Sequence, residues 1–354
     1  VEAGALVSKD RTWERIHSYN AGLDFQFLDG RLAGSIDFYM KKNNNMLVER
    51  LYSAVLGGTP PTGNYGKFES KGYDGTINWK DKIRNFSYHV GATLSYMTNE
   101  LKSGGTDLIK AGYNSTVNGY PLNSIFGYQY VGKIQTEEQL KKYKEKYLMS
   151  NTIDLPSVIR LGDNMYEDVN GDGKLTQDDM VYLGSDDPKF SYSFNFGFEW
   201  KGFDFSAIFQ GVTKRTIFRE GNPYKIPFST VYRNTSDYTL GKTWSPETPN
   251  NRYPAYTDNK RINTYNYIAS SWSVENGAYL RLKNIVLGYT LPASVYKKLN
   301  NAISNVRIYV SGADLWEMTN INDGWDPEAT RTVKGGKERY PFNRTFTVGL
   351  NATF

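Results

Sequence analysis

The 354-residue chain has no cysteine, which removes disulfide scaffolds, thiolate-ligated zinc, iron–sulfur clusters and thiol nucleophiles at once. Imidazole is nearly missing too. His17 and His89 are the two histidines, so a hydrolase with a histidine base would have only those to use. No run of 18 apolar residues occurs, so no transmembrane helix is available. Neither a phosphate-cradling glycine loop nor a G-x-S-x-G elbow is present. The opening residues Val1-Glu2-Ala3-Gly4 show neither a basic region nor an apolar stretch. The expectation is that a signal was removed or that the chain begins inside a longer protein. Nor is charge of one sign in large excess: 42 basic and 37 acidic residues, spread along the chain, leave +5 and no case for nucleic-acid binding.

Aromatic side chains are what the sequence has in quantity, with 28 Tyr, 18 Phe and 7 Trp, and they recur with period two. From Phe190 to Trp200 the even positions read Phe190, Tyr192, Phe194, Phe196, Phe198 and Trp200. The odd positions between them are Ser191, Ser193, Asn195, Gly197 and Glu199. That alternation predicts a strand with one apolar and one wet face. Lys201-Gly202 then turns the chain into Phe203, Phe205, Ala207 and Phe209, giving a hairpin. A second hairpin runs from Tyr19–Phe27 through Asp29-Gly30 to Leu32–Met40. A third joins Tyr73–Trp79 to Phe86–Tyr96 through a turn near Asp81-Lys82. Further strands are expected over about 279–290, 306–315 and 345–354, making roughly ten.

Two architectures account for such alternation. In a soluble β-sandwich or propeller the apolar face packs on a second sheet. In a transmembrane antiparallel β-barrel it meets lipid, while the polar face lines the lumen. Three features favour the barrel. The strands approach the ~9–11 residues that a tilted strand needs to cross a bilayer, whereas sandwich strands are usually ~5–6. Aromatics gather at strand ends, as interfacial girdles do. Connections alternate between tight turns and two very long loops, about 102–189 and 213–276, as in outer-membrane barrels. A mean hydropathy of −0.58 is compatible, because only alternate residues would face lipid.

The long loops carry few chemical signals. Thr136–Tyr147 reads as a capped helix, acidic first and basic later, and is expected to be a solvated surface helix. The sharper motif runs from Asp168 to Asp179 in the D-x-[DN]-x-[DN]-G spacing of a calcium loop. Asp168, Asn170 and Asp172 offer side-chain oxygens, Gly173 the sharp turn, Lys174 a backbone carbonyl and Asp179 the acid at position twelve. Asp in place of Glu there shortens the reach. A structural Ca2+ clip and a metal-free turn held by Asx hydrogen bonds both remain open. The second loop interleaves Gly221-Asn222-Pro223-Tyr224, Trp244-Ser245-Pro246 and Tyr253-Pro254-Ala255-Tyr256. Such rings suit a glycan or peptide surface, and equally plain loop packing.

These residues resemble a known family. Asn20–Phe25 through Asp37–Tyr39 is similar to the late barrel of SusC/RagA-like TonB-dependent outer-membrane transporters, as is Gly66–Gly72. So are Gly162-Asp163 through the Asp168–Asp179 segment to Asp187-Pro188, Phe203–Gly211, Tyr279–Pro292, Asp326-Pro327-Glu328 and the terminal Gly349–Phe354. The resemblance implies a 22-stranded barrel with a plug and TonB contact supplied by an N-terminal part. It also implies import of large nutrients, oligosaccharides before peptides, with a SusD-like surface lipoprotein as lid and energy from the TonB complex. About ten strands cannot close that barrel. Residues 1–354 are therefore expected to be its C-terminal portion, in the bacterial outer membrane, with the plug and early strands supplied by another chain or not built. Phe354 resembles the terminal aromatic recognised in barrel assembly. No catalysis is expected. The competing reading, from a different class, is a secreted soluble β-rich glycan-binding protein with a calcium clip.

Overall fold

The computed structural model describes residues 8, 11–48, 61–104, 112, 115–147, 157–218, 239–296, 304–321, 326–328 and 343–353. In chain order the elements begin with four long strands, β1 (Ile16–Phe27), β2 (Leu32–Val48), β3 (Gly63–Ile83) and β4 (Phe86–Ser103). After them come β5 (Ser124–Gly127), β6 (Tyr130–Lys133), α1 (Glu137–Tyr147), β7 (Asn164–Tyr166) and β8 (Val181–Ser185). The long hairpin β9 (Phe190–Trp200) and β10 (Phe203–Thr213) leads into β11 (Thr216–Phe218), α2 (Lys260–Asn266) and β12 (Val274–Asn276). The chain closes with β13 (Tyr279–Thr290), α3 (Ala293–Tyr296), β14 (Asn305–Thr319) and β15 (Thr345–Thr353).

Nine long strands make one antiparallel sheet in the order β1-β2-β3-β4-β9-β10-β13-β14-β15. The alternation read from the sequence fixes its register, because a slip of one residue would turn every ring onto the wet side. Leu23 lies opposite Ile36, Phe38 opposite Tyr73, and Val90 opposite both Trp79 and Phe196. Phe198 meets Phe205, Leu287 meets Phe205 and Val310, and Val310 meets Val348. One apolar face therefore continues across all nine strands. Among the described residues no second sheet covers it: Leu23, Phe196, Val348 and Leu350 are exposed, and Phe194 is half-buried through stacking on Phe209 at 4.7 Å within the sheet. A soluble sandwich would bury these side chains, so that architecture is overturned.

Rings mark both ends of the apolar face. Phe86 stacks on Phe198, and Phe203 lies 4.6 Å from Tyr289, at the tight-turn end. Ten residues along β4 from Phe86, Tyr96 meets Phe190 at 4.7 Å and Tyr73 at 5.3 Å. Ten residues at about 3.3 Å each, on strands tilted about 40°, rise about 25 Å. That is the height of the apolar band between the aromatic girdles of an outer-membrane barrel.

The turns carry local signatures. Lys201 and Gly202 both have positive φ (50° and 89°), the mirror-image geometry that suits the strands' twist. The turn after β3 falls later than the sequence suggested. Ile83 still pairs with Phe86, so the ladder runs through Asp81-Lys82, and Arg84 (φ 57°) makes the bend with Asn85. β2, β3 and β4 also run well past the predicted limits, to 17, 21 and 18 residues. Their polar continuations project beyond the apolar band. Nine strands with β1 and β15 at the edges form an open sheet among the described residues.

The two long connections are not plain loops. They pack on each other and hold the molecule's one buried cluster of apolar side chains among the described residues: Tyr128, Ile134, Tyr143, Tyr147, Ile159, Tyr166, Leu175 and Tyr265. α1 contributes two of these tyrosines, so it is amphipathic and docked, not the solvated helix expected. Its N-terminus forms as read, with the Gln139 N–H donating to Thr136 Oγ1 at 3.2 Å. The Gln139 side chain, however, takes the N–H of Gln135 at 2.8 Å.

Candidate functional site

The face opposite the rings is the one that carries polar chemistry. Ser35 and Thr76 share a hydroxyl hydrogen bond of 2.9 Å, Thr93 and Ser193 one of 2.8 Å, and Ser95 donates to Asp74 at 2.5 Å. Near the tight-turn end Arg307 forms a two-pronged ion pair with Asp204 across Gly288. A Cβ on Gly288 would strike both partners, so glycine there leaves the pair its room. Small polar side chains joined across strands make a wall that water can wet and a hydrophilic solute can slide along.

A charged clasp stands where this wall meets the cap, the two long connections packed around the tyrosine cluster. A bulge between Leu282 and Asn284 lets Lys283 stay on the polar side with Asn284, and it places Lys283 Nζ 2.9 Å from Asp314. Arg281 is almost wholly buried and holds Glu317 at 2.5 Å, Asp326 at 2.9 Å and Glu328 at 3.0 Å. Arg215 grips Asp186 at 2.8 Å and donates to the carbonyl of Pro327 at 2.5 Å. The Asp326-Pro327-Glu328 segment is thus pinned between strand β13 and the Asp186 loop. Sequence reasoning picked out the segment and missed both arginines. The signal was a strand, Tyr279-Leu280-Arg281-Leu282-Lys283, that alternates charge with leucine.

In the cap, hydroxyls take the place of charges. Tyr166 N–H donates to Tyr143 OH (3.0 Å), which lies 2.8 Å from Tyr265 OH, which donates to the Asn164 carbonyl at 2.8 Å. Asn164 and Asn266 are clasped by two hydrogen bonds of 2.8 and 2.7 Å, and Asn266 donates to Asp163 at 2.8 Å. Burial pushes the Tyr143 phenol up to about 12 and Tyr265 well above its usual range. Burial also raises the Asp163 carboxyl, against the pull of its bonds from Asn266 and the Arg160 N–H.

The Asp168–Asp179 loop wraps as its spacing suggested. Asp168 accepts the N–H groups of Gly171 (2.8 Å) and Gly173 (2.9 Å), with Lys146 Nζ at 3.6 Å. Desolvation alone would raise this carboxyl; the two N–H groups and the ammonium outweigh it and hold it below the usual range. Asn170 Oδ1 accepts from Asp172 N–H at 2.9 Å, and Asp172 Oδ1 from Lys174 N–H at 2.8 Å. Asp179, fully buried, takes Thr176 N–H at 2.7 Å and Val169 N–H at 3.0 Å. Its carboxylate closes the loop on itself. Among the described residues no group of three or more His, Cys, Asp or Glu gathers as a metal site, so the oxygens serve the loop's own backbone. Asp179 Oδ1 takes both the Val169 and the Asn170 N–H, at 3.0 and 3.3 Å, while the Asn170 and Asp172 oxygens each accept one, and the donor types suit Ca2+.

Of the loop rings, Tyr253 is buried with its edge on Trp272, and Trp244 donates to Gln135 at 2.8 Å. Both are packing residues. Tyr256 is exposed. Gly221–Tyr224 and Phe354 lie outside the described residues.

Comparison with known proteins agrees with this geometry. Residues 9–137 match the TonB dependent receptor-like, beta-barrel family. "TonB-dependent receptor P26" of Formosa agariphila is 27% identical over 99% of this chain and 36% of its own length. "TonB-dependent receptor SusC" of Bacteroides thetaiotaomicron is 25% identical over 97% of this chain and 32% of its own. Among solved structures, that of "the RagAB peptide transporter" superposes with a TM-score of 0.74 at 22% identity, covering 98% of this chain and 36% of that one. The chain spans about a third of the length of the curated relatives it matches. Over residues 9–137 its sheet is thus similar to a TonB-dependent receptor β-barrel, and nearly the whole chain shares the fold of the RagAB transporter structure.

Proposed function

We propose that this stretch of a TonB-dependent receptor barrel forms part of the wall and outer cap of an importer of large nutrients, oligosaccharides before peptides. It works under a SusD-like surface lipoprotein and is driven through the TonB complex. Residues 1–354 make the C-terminal portion of the barrel; the plug and remaining strands complete it and protect the edges of β1 and β15 from lipid. One observation carries the reading: two rows of rings, ten residues apart on β4, bound an uncovered apolar face while the opposite face is a hydrogen-bonded polar wall. The full-length receptor should then need detergent for extraction and migrate differently on gels before and after heating. Cells should take up labelled oligosaccharide in a manner abolished by collapsing the proton gradient. Uptake that survives this collapse, or extraction without detergent, would refute it.

We further propose that the 168–179 loop is a structural clip that accepts Ca2+ at Asp168, Asn170, Asp172, the Lys174 carbonyl and Asp179. The support is the donor set and its wrapping around one turn. Calorimetry showing no calcium uptake at millimolar concentration would leave the clip to its hydrogen bonds alone.

A further inference from the structure

We infer that the barrel wall carries a binding site for a phosphorylated glycolipid on its lipid-facing side, at the cap end of the apolar band. Four rings form a continuous row there: Phe38 lies 6.1 Å from Tyr73, Tyr73 is 5.3 Å from Tyr96, and Tyr96 is 4.7 Å from Phe190. Aromatic rows of this kind sit at headgroup depth. Two lysines stand directly on the row. Lys214 places its ammonium 5.3 Å from the centre of the Phe190 ring. Lys71, two residues from Tyr73 on the same face, borders a recess of about 440 Å³ with Tyr19, Phe38, Tyr73 and Tyr96.

The neighbouring cations are already committed: Lys42 to Glu69 at 3.6 Å and Lys102 to Glu100 at 2.6 Å. Among the described residues neither Lys71 nor Lys214 has an ion pair. Two ammonium groups without counter-ions, at the level where lipid phosphates lie, call for an anionic head. Lys71 on β3 pairs with Thr98 and the Phe190 ring under Lys214 on β9 with Tyr96, two strands across and two residues along, so the two positions stand about 12 Å apart. That separation suits a head as broad as a disaccharide, with acyl chains running down the apolar face between the girdles. The recess takes the sugar, since flat rings beside an aliphatic lysine stem offer stacking and hydrogen bonding together.

The inference rests on the membrane reading of the apolar face. Its test uses the full-length receptor in phosphatidylethanolamine nanodiscs, probed with lipid A and with dephosphorylated lipid A. Wild type should retain lipid A and not the dephosphorylated form, and inorganic phosphate should not displace it. The Lys71→Gln/Lys214→Gln double variant should bind lipid A about tenfold or more weakly. Lys201→Gln, which alters the ammonium over Trp200 at the opposite end, should bind as wild type does. Equal retention of both lipids, displacement by phosphate, or an unaffected double variant would overturn the site. A receptor that stays in aqueous solution without detergent would instead overturn the membrane reading beneath it.

Discussion

The hydroxyl of Tyr143 on α1 and that of Tyr265 on α2 lie 2.8 Å apart in the core of the cap, though 122 residues separate them in the chain. That bond joins the two long connections, and the Tyr166 N–H and Asn164 carbonyl extend it on either side. Tyr143→Phe removes the middle hydroxyl and strands a buried N–H. The cap should lose about 1–3 kcal/mol. Limited proteolysis should cut the cap faster, while the heat-modifiable migration of the barrel stays as in wild type.

The same phenols set an upper pH limit for the cap. Tyr143 is raised from 10.0 to about 12 by burial, and Tyr265 and Tyr166 are raised too. A raised phenol binds its proton more tightly folded than unfolded. Its stabilising contribution is therefore complete below about pH 10 and lost as the pH climbs toward 12. Phenolate absorbance near 295 nm should show a late set of tyrosines ionising together with cap unfolding. If all tyrosines titrate in one smooth step near pH 10, the hydroxyl core is not closed.

Arg281 gathers Glu317, Asp326 and Glu328, of which Lys283 on the same strand meets only Glu328, at 3.1 Å. Arg281→Met should cost about 2–4 kcal/mol. This is less than the full penalty for breaking a buried pair, because the three acids are a quarter to a third exposed. Arg281→Lys should rescue only part, since one ammonium cannot meet three carboxylates in a planar fork. Hydrogen exchange of the Asp326–Glu328 backbone should accelerate in both variants, more in the first.

The sheet was more legible than the cap for a physical reason. A strand with one apolar and one polar face writes its register into adjacent residues, so Phe190–Trp200, Lys201-Gly202 and Tyr279–Thr290 could be read to the residue. The cap is held by partners distant in the chain. Nothing local tells Tyr143 that it meets Tyr265, or Arg215 that it meets Asp186. The spacing of Leu140, Tyr143 and Tyr147 along α1 was a visible stripe, outweighed in the sequence by the seven charged residues of the same helix. The Asp168–Asp179 loop was legible as a turn because Asx bonds are local.

The orientation of the sheet can be tested with two substitutions three residues apart on β9. Phe196 sits between the girdles, opposite Val90 and Ala207, and Ser193 sits on the other face, bonded to Thr93. Arginine in mid-bilayer costs about 2–4 kcal/mol, falling toward zero near the interface. Phe196→Arg should thus sharply reduce the yield of inserted, heat-modifiable receptor. Ser193→Arg gives up one hydroxyl pair, about 1 kcal/mol, and leaves its charge in water, so insertion should hold. The two carry the same charge on the same strand, so propensity and net charge cancel between them and only the facing differs. Equal insertion of both, or the reverse order, would mean that the apolar face does not look into hydrocarbon.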